Sequence, residues 1–235
     1  MGIYRCFIEK EGFSEGDSIE IAGDEFHHLR SVLRLEVGDS VSLTNGRGVV
    51  ADATVIDVRK KSCVIRVRSV RRESRGDRRV VLGLALLKPG HLDIAIEKAT
   101  ELGIDRFVIF RADRSKRDEI TPAMQRRIEA LITAAMKQCG RAFRPEVFVA
   151  RSLNEAVEAL EGTILWTDLG GTRRLEEALR SIEGSVSVLI GPEAGWSDGE
   201  RQLLQLKSHP VLLHHNVLRA ETAAIAASFA CTCSK

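Results

Sequence analysis

From Val80 onward the chain alternates short apolar runs with stretches of helical period. Residues 80–87 are almost continuously apolar, the pattern of a strand buried on both faces. Leu92, Ala95, Ile96, Ala99 and Leu102 then recur at helical spacing. The alternation continues with a strand at 107–110 and a helix at 122–138, with Pro122 in its first turn. A strand at 147–150, a helix at 153–160, a strand at Thr163–Thr167 and a helix at 174–182 follow. Alternation of this kind predicts an α/β domain built on a parallel sheet.

The first third reads differently. Ile19 and Ile21 flank an acid, and strands are predicted at 40–43, Val49–Val58 and 63–67. Asn45-Gly46-Arg47-Gly48 marks a turn between the first two of these. One helix interrupts them. Asp24 caps it, Phe26, Leu29, Val32 and Leu33 form its apolar stripe, and His27, Arg30 and Arg34 lie opposite. Residues 1–70 are therefore predicted to be a small β domain, 71–79 a polar linker carrying Gly76, and 80–235 the α/β domain.

Two loops carry the most unusual chemistry. The apolar run Val186–Ile190 ends in Gly191-Pro192-Glu193-Ala194-Gly195, and a helix start follows with Ser197 and Glu200 at capping-box spacing. A second apolar run, 211–213, leads through 214–218 into Arg219-Ala220-Glu221-Thr222 and a small-residue helix. In an open α/β sheet, ligands bind beyond the carboxyl ends of the strands, where both loops are predicted to lie. Neither a dinucleotide-binding GxGxxG nor a P-loop is present, which disfavours dehydrogenases and P-loop enzymes.

Composition narrows the class further. The 235 residues are 44% hydrophobic and 29% charged, as in a globular protein, and no apolar run approaches the ~18 residues of a membrane span. The opening MGIYRCFIEKEGF has no secretory apolar region, so the cytoplasm is the expected compartment. Cys6, Cys63, Cys139, Cys231 and Cys233 are scattered and form no CxxC pair, and His214-His215 has no third ligand nearby. No metal site is expected. Net charge is +2, yet residues 59–79 hold ten Lys or Arg against two acids. That asymmetry points to a polyanion partner or to a solvated hairpin and linker.

Taken together, IGPEAGW and LRAET, with HHLRSVLRLEVGD, LLKPGHLDIAIEKATELGI and AAMKQCGR upstream, resemble the 16S ribosomal RNA uridine N3-methyltransferases of the SPOUT class. The resemblance covers nearly the whole chain, with the motifs in the family's order. It implies a PUA-like RNA-binding β-barrel followed by a SPOUT domain whose chain is tied in a trefoil knot around S-adenosylmethionine. It further implies methylation of a uridine N3 in small-subunit ribosomal RNA by a homodimer. Where Ala194 and His214 stand, that family usually has glycine.

By the same resemblance three loops wrap the cofactor. The first supplies Leu165, Thr167 and Leu169. The second supplies Leu189, Ile190, Gly191, Pro192, Glu193 and Gly195. The third supplies Leu213, His214, Val217, Leu218 and Thr222. Arg219 and Glu221 are the catalytic candidates. Arg219 opposes the dipole at a helix start, which favours a chemical role, whereas Glu221 equally suits the helix dipole. RNA-binding candidates are Arg5, His28, Arg30, Arg34, Arg71, Arg72, Lys88, Lys98 and Arg141. Lys98 and Glu101 also fit an exposed, charge-paired helix face. A SPOUT enzyme acting on ribose 2′-O or another RNA, and a non-catalytic RNA-binding assembly factor, are the alternatives.

Overall fold

The computed structural model describes residues 4–31, 34–116 and 119–233, without the side chains of His28 and Ser31. Two compact units emerge: Met1–Arg75 with Met136–Arg144, and Gly76–Ala135 with Pro145–Lys235.

The larger unit is a six-stranded parallel sheet: β6 (Val80–Ala85), β7 (Arg106–Phe110), β8 (Glu146–Ala150), β9 (Thr163–Thr167), β10 (Val186–Ile190) and β11 (His209–Val211). Their order across the sheet is β11-β9-β10-β6-β7-β8. The chain steps outward from β6 to β8, then returns to the other side, and β10 inserts between β9 and β6. Central β6 and β10 are buried at every residue, as their unbroken apolar runs require. At the edge, β11 covers Pro210 and ends where an apolar strand was predicted to begin. An edge tolerates proline because one side of the strand forms no ladder.

Helices cover both faces. On one, α2 (Pro89–Glu101), α3 (Pro122–Cys139), α5 (Leu175–Leu179) and α7 (Ala220–Cys233) pack over the sheet through Leu92, Ile96, Ile132, Leu175 and Ala224. On the other, α4 (Leu153–Glu158) and α6 (Asp198–Lys207) close over Trp166, Trp196 and Leu204. Helix α7 is rich in alanine, and this lets it lie close to α2, β6 and β10. The capping box at α6 forms as its spacing predicts: Ser197 Oγ accepts the Glu200 N–H, and Glu200 reaches back to the Ser197 N–H at 2.8 Å.

The smaller unit is a five-stranded sheet of order β1-β3-β4-β5-β2: β1 (Tyr4–Phe7), β2 (Ser18–Ala22), β3 (Ser40–Thr44), β4 (Val49–Val58) and β5 (Ser62–Arg72). It encloses Cys6, Ile21, Leu43, Val55, Ile65 and Val67, with α1 (Gly23–Ser31) contributing Phe26 and Leu29. Of the stripe predicted for α1, Val32 and Leu33 lie outside the described residues. Strand β5 runs five residues past the predicted 67, to Arg72, because it stays paired with β4 as far as Val49. The end of α3 and the loop after it belong to this unit. There the Arg144 N–H donates to the Gly46 carbonyl and the Gly48 N–H to that of Ala142. No periodicity signals such a long-range return.

Candidate active site

Each loop that leaves the carboxyl end of β6, β9, β10 and β11 borders one cavity of about 700 Å³. That volume suits a small-molecule ligand. The strand order brings these four loops together, because β6, β10, β9 and β11 are successive neighbours.

Two close approaches shape the walls. A Cβ on Gly191 would lie 2.9 Å from the Trp196 ring, so only glycine lets the 191–195 turn pass beneath the indole. On Gly171 a Cβ would meet the Leu212 nitrogen at 2.6 Å, pressing the loop after β9 against the one after β11. Trp196 is fixed from several sides. Its indole N–H donates to the Thr167 carbonyl at 3.0 Å, and the ring stacks on Phe110 and meets Trp166 edge-on. Ala194 and His214 are at ease where glycine is usual, since Arg34 is the non-glycine residue with positive φ among those described. His214 Nδ1 accepts the Asn216 N–H at 3.0 Å, and its ring packs 4.1 Å from that of His215.

Charge in the wall is mixed. Asp168 pairs with Arg201. Lys88 and Arg219 line the cavity, and their cationic groups have no hydrogen-bond or ion-pair partner among the described residues. Three titratable groups converge beside them. His91 Nδ1 lies 3.4 Å from Glu193 Oε1 and 3.4 Å from Glu221 Oε2. Glu193 Oε1 also accepts the Lys88 backbone N–H at 3.1 Å. Burial pushes the Glu193 carboxyl upward. Backbone hydrogen bonds from Lys88 and from Glu193 itself, with His91 opposite, outweigh that and hold it below the ordinary carboxylate value. Glu221 Oε2 and His91 Nδ1 are buried without a hydrogen-bond partner.

Most residues expected around the cofactor meet here: Thr167, Leu169, Ile190, Gly191, Pro192, Glu193 and Gly195 from two loops, with Leu213, His214, Val217 and Leu218 from the third. Arg219 and Glu221 join them. Leu165 and Leu189 do not. Their side chains are buried in the two opposite cores, since alternate strand residues face opposite sides. Thr222 is exposed on the first turn of α7, outside the lining.

The RNA-binding candidates disperse. Lys88 sits in the cavity wall. Lys98 bridges Glu101 at 2.8 Å and Glu97 at 2.7 Å, and these acids hold its ammonium well above its ordinary value. In the smaller unit Arg5 and Arg141 border a pocket with Arg71, and Arg5 donates to the Gln138 carbonyl at 2.7 Å. Arg30 donates to the carbonyls of Arg59 and Lys60. Arg34 and Arg72 are exposed, and the His28 side chain lies outside the description. Sequence reasoning did not place His91, Trp196, Arg201 and Leu212 at the site; Asp168 and Asn216 lay within the loops expected there, 167–171 and 213–218, without being singled out. His91 and Trp196 stood inside quoted motifs and were legible there. The Asp168–Arg201 pair joins residues 33 apart and had no local signal.

Comparison with known proteins matches this arrangement. A model of the RNA methyltransferase domain matches residues 74–231, and one of the RNA methyltransferase PUA domain matches residues 21–68. Ribosomal RNA small subunit methyltransferase E of Rickettsia conorii is 28% identical over 233 residues, covering 95% of this chain and 92% of its own. The Mycobacterium tuberculosis protein of that name is 30% identical over 220 residues, covering 88% and 83%. A Legionella pneumophila methyltransferase, solved with the cofactor S-adenosylmethionine bound, superposes with a TM-score of 0.87 at 26% identity, covering 97% of this chain and 96% of its own. The chain belongs to the RNA methyltransferase family represented by ribosomal RNA small subunit methyltransferase E.

Proposed function

We propose that this protein transfers the methyl group of S-adenosylmethionine to N3 of a uridine in 16S ribosomal RNA of the small subunit. One observation carries the reading: the loops after β6, β9, β10 and β11 enclose one cavity whose lining includes both Arg219 and buried Glu221. The wall suits that cofactor. Apolar Ile190, Pro192, Leu213 and Leu218 fit an adenosyl group. Mixed charges fit a ligand bearing a sulfonium, an ammonium and a carboxylate.

Bound there, S-adenosylmethionine supplies an electrophilic methyl group on sulfur. Uracil N3 carries a proton at neutral pH and is a poor nucleophile until that proton leaves. Charge then develops on O2 and O4. Arg219 cannot take the proton, because a guanidinium stays charged, but its planar donors suit the uracil oxygens. Such preorganised donors stabilise charge as it develops. Glu221 is the carboxylate placed to take the proton. The smaller unit, with its excess of cations, supplies RNA affinity.

The same reading includes a deep trefoil knot in the larger unit, a cytoplasmic location, no metal requirement and a homodimer. Exposed Phe229 on α7 and Ile94 on the neighbouring α2 offer an apolar contact for a second copy. Calorimetry with S-adenosylmethionine in the presence of a chelator tests the cofactor assignment. Mass spectrometry of ribosomal nucleosides, with and without the protein, tests the product. N3-methyluridine that fails to depend on the protein overturns the reading.

A further inference from the structure

His91 faces two carboxylates at once, and its place explains an otherwise unfavourable grouping. Glu193 and Glu221 both approach the same nitrogen, His91 Nδ1, at 3.4 Å. A protonated nitrogen facing two carboxylates favours the ionised, oriented form of each. Glu193 is anchored as an anion by the Lys88 backbone N–H. Glu221 has no such anchor: its Oε2 is buried without a hydrogen-bond partner, and so is His91 Nδ1 opposite it. A protonated Nδ1 is the donor that Glu221 Oε2 lacks.

We propose that His91 is a positioning residue acting through Glu221: its Nδ1–H, set between Glu193 and Glu221, keeps Glu221 ionised and oriented as the acceptor of the uracil N3 proton. This rests on the methyl-transfer reading above. The step balances without another reagent. The N3–H bond breaks and its proton goes to Glu221. The N3 electron pair forms the N–CH3 bond, and the S–CH3 pair returns to sulfur, leaving a neutral thioether.

Other charges around His91 do not replace it. From the loop after β6, Lys88 is a cation in the wall, and from α2 itself Asp93 is tied to Arg127. The loop after β9 brings Asp168, paired with Arg201, and the loop before α7 brings Arg219 and His214. None has a recorded contact with Glu221 Oε2. Without His91, Glu221 Oε2 loses the one charged partner drawn up to it among the described residues.

The test uses the full chain, S-adenosylmethionine and small ribosomal subunits lacking the modification. His91→Leu removes the donor, whereas His91→Asn places an amide N–H near the former Nδ1. Calorimetry of cofactor binding and thermal melting accompany single-turnover rates across pH 5.5 to 9. The expected result has four parts. His91→Leu is on the order of 10-fold slower at pH 7, as for loss of one oriented partner of an acid–base group. Its rate curve moves to higher pH, as loss of a cation beside a carboxylate does. His91→Asn recovers most of the rate. Combined with Glu221→Gln, His91→Leu has no further effect, and cofactor affinity and melting stay near wild type throughout. A wild-type rate and curve for His91→Leu overturns the proposal. So does an equal loss at every pH that Asn does not rescue, or a full additive loss in the Glu221→Gln background. A wild-type protein that binds the cofactor but methylates no subunits overturns the functional reading instead.

Discussion

In the smaller unit many cations are tied to partners on their own surface. Arg59 reaches Asp57 at 2.8 Å and Glu20 at 3.4 Å, Arg71 reaches Asp52 at 3.6 Å and Glu73 at 3.8 Å, and Arg68 donates to Thr54. In the cavity of the larger unit, Lys88 and Arg219 have no such partner among the described residues, although Glu193 and Glu221 line the same wall. Exposed pairs like the first are each worth about 0–1 kcal/mol and weaken with salt. They hold a surface field without committing any one cation to a ligand. Cations left unpaired in a concave wall keep their donors for whatever enters. On the proposed reading, cations thus serve a diffuse attraction in one unit and a directed contact in the other.

The largest expected break in this comparison is Arg219→Ala. It should cost on the order of 100-fold in single-turnover rate, as loss of one preorganised donor does, with melting unchanged. Lysine should rescue only in part, lacking the planar fork. A wild-type rate would make Arg219 a structural residue and erase the contrast.

Next in size is Gly171→Ala, which tests whether the cavity wall is rigid. Its Cβ would meet backbone at 2.6 Å, so the loops after β9 and β11 must separate. Overpacking of this kind costs about 1–3 kcal/mol. Melting should fall and cofactor affinity with it. Unchanged affinity would show that those loops tolerate separation.

A smaller effect is expected on the surface. Arg66 and Arg72 have no described partner, unlike Arg59 and Arg71. Replacing Arg66 and Arg72 by alanine should lower the slope of log affinity for RNA against log salt by about 1.5, since each phosphate contact contributes somewhat less than one. Replacing Arg59 and Arg71 should lower it less, because cations already paired with acids release fewer counterions on meeting phosphate. Equal slopes in the two double variants would mean that the surface pairs do not restrain their cations.

The smallest effect belongs to Glu193. Its carboxyl is held below the ordinary value in the fold. A depressed carboxylate stabilises the fold above its unfolded value, near 4, and that contribution is lost as pH falls through the folded value. Glu193→Gln should therefore melt slightly below wild type at pH 7, and the two curves should converge in acid. A gap that persists at the most acidic pH would assign the difference to packing.

Much of this was legible because it is local. The apolar runs at β6 and β10, the turn at 45–48, and the Ser197–Glu200 capping box each depend on residues a few positions apart. Family motifs marked the loops at 190–195 and 213–218. Boundaries erred where pairing or packing decided them. β5 continued along β4 to Arg72, and α5 stopped at Leu179 rather than at 182. Leu165 and Leu189 were assigned to the site from their place in motifs, but strand alternation sends their side chains into the cores.

By itself the sequence determined the alternation of strands and helices, the α6 cap, the basic stretch at 59–79 and the two loops of unusual chemistry, since each follows from composition or short-range spacing. Only the tertiary structure decided the strand order that gathers four loops around one cavity, and the return of residues 136–144 to the smaller unit. It also decided the meeting of His91, Glu193 and Glu221, which are remote in the chain. The physical reason is common to all three. Spacing along a chain specifies which face of an element is apolar, whereas proximity between distant side chains depends on which elements the whole core allows to become neighbours.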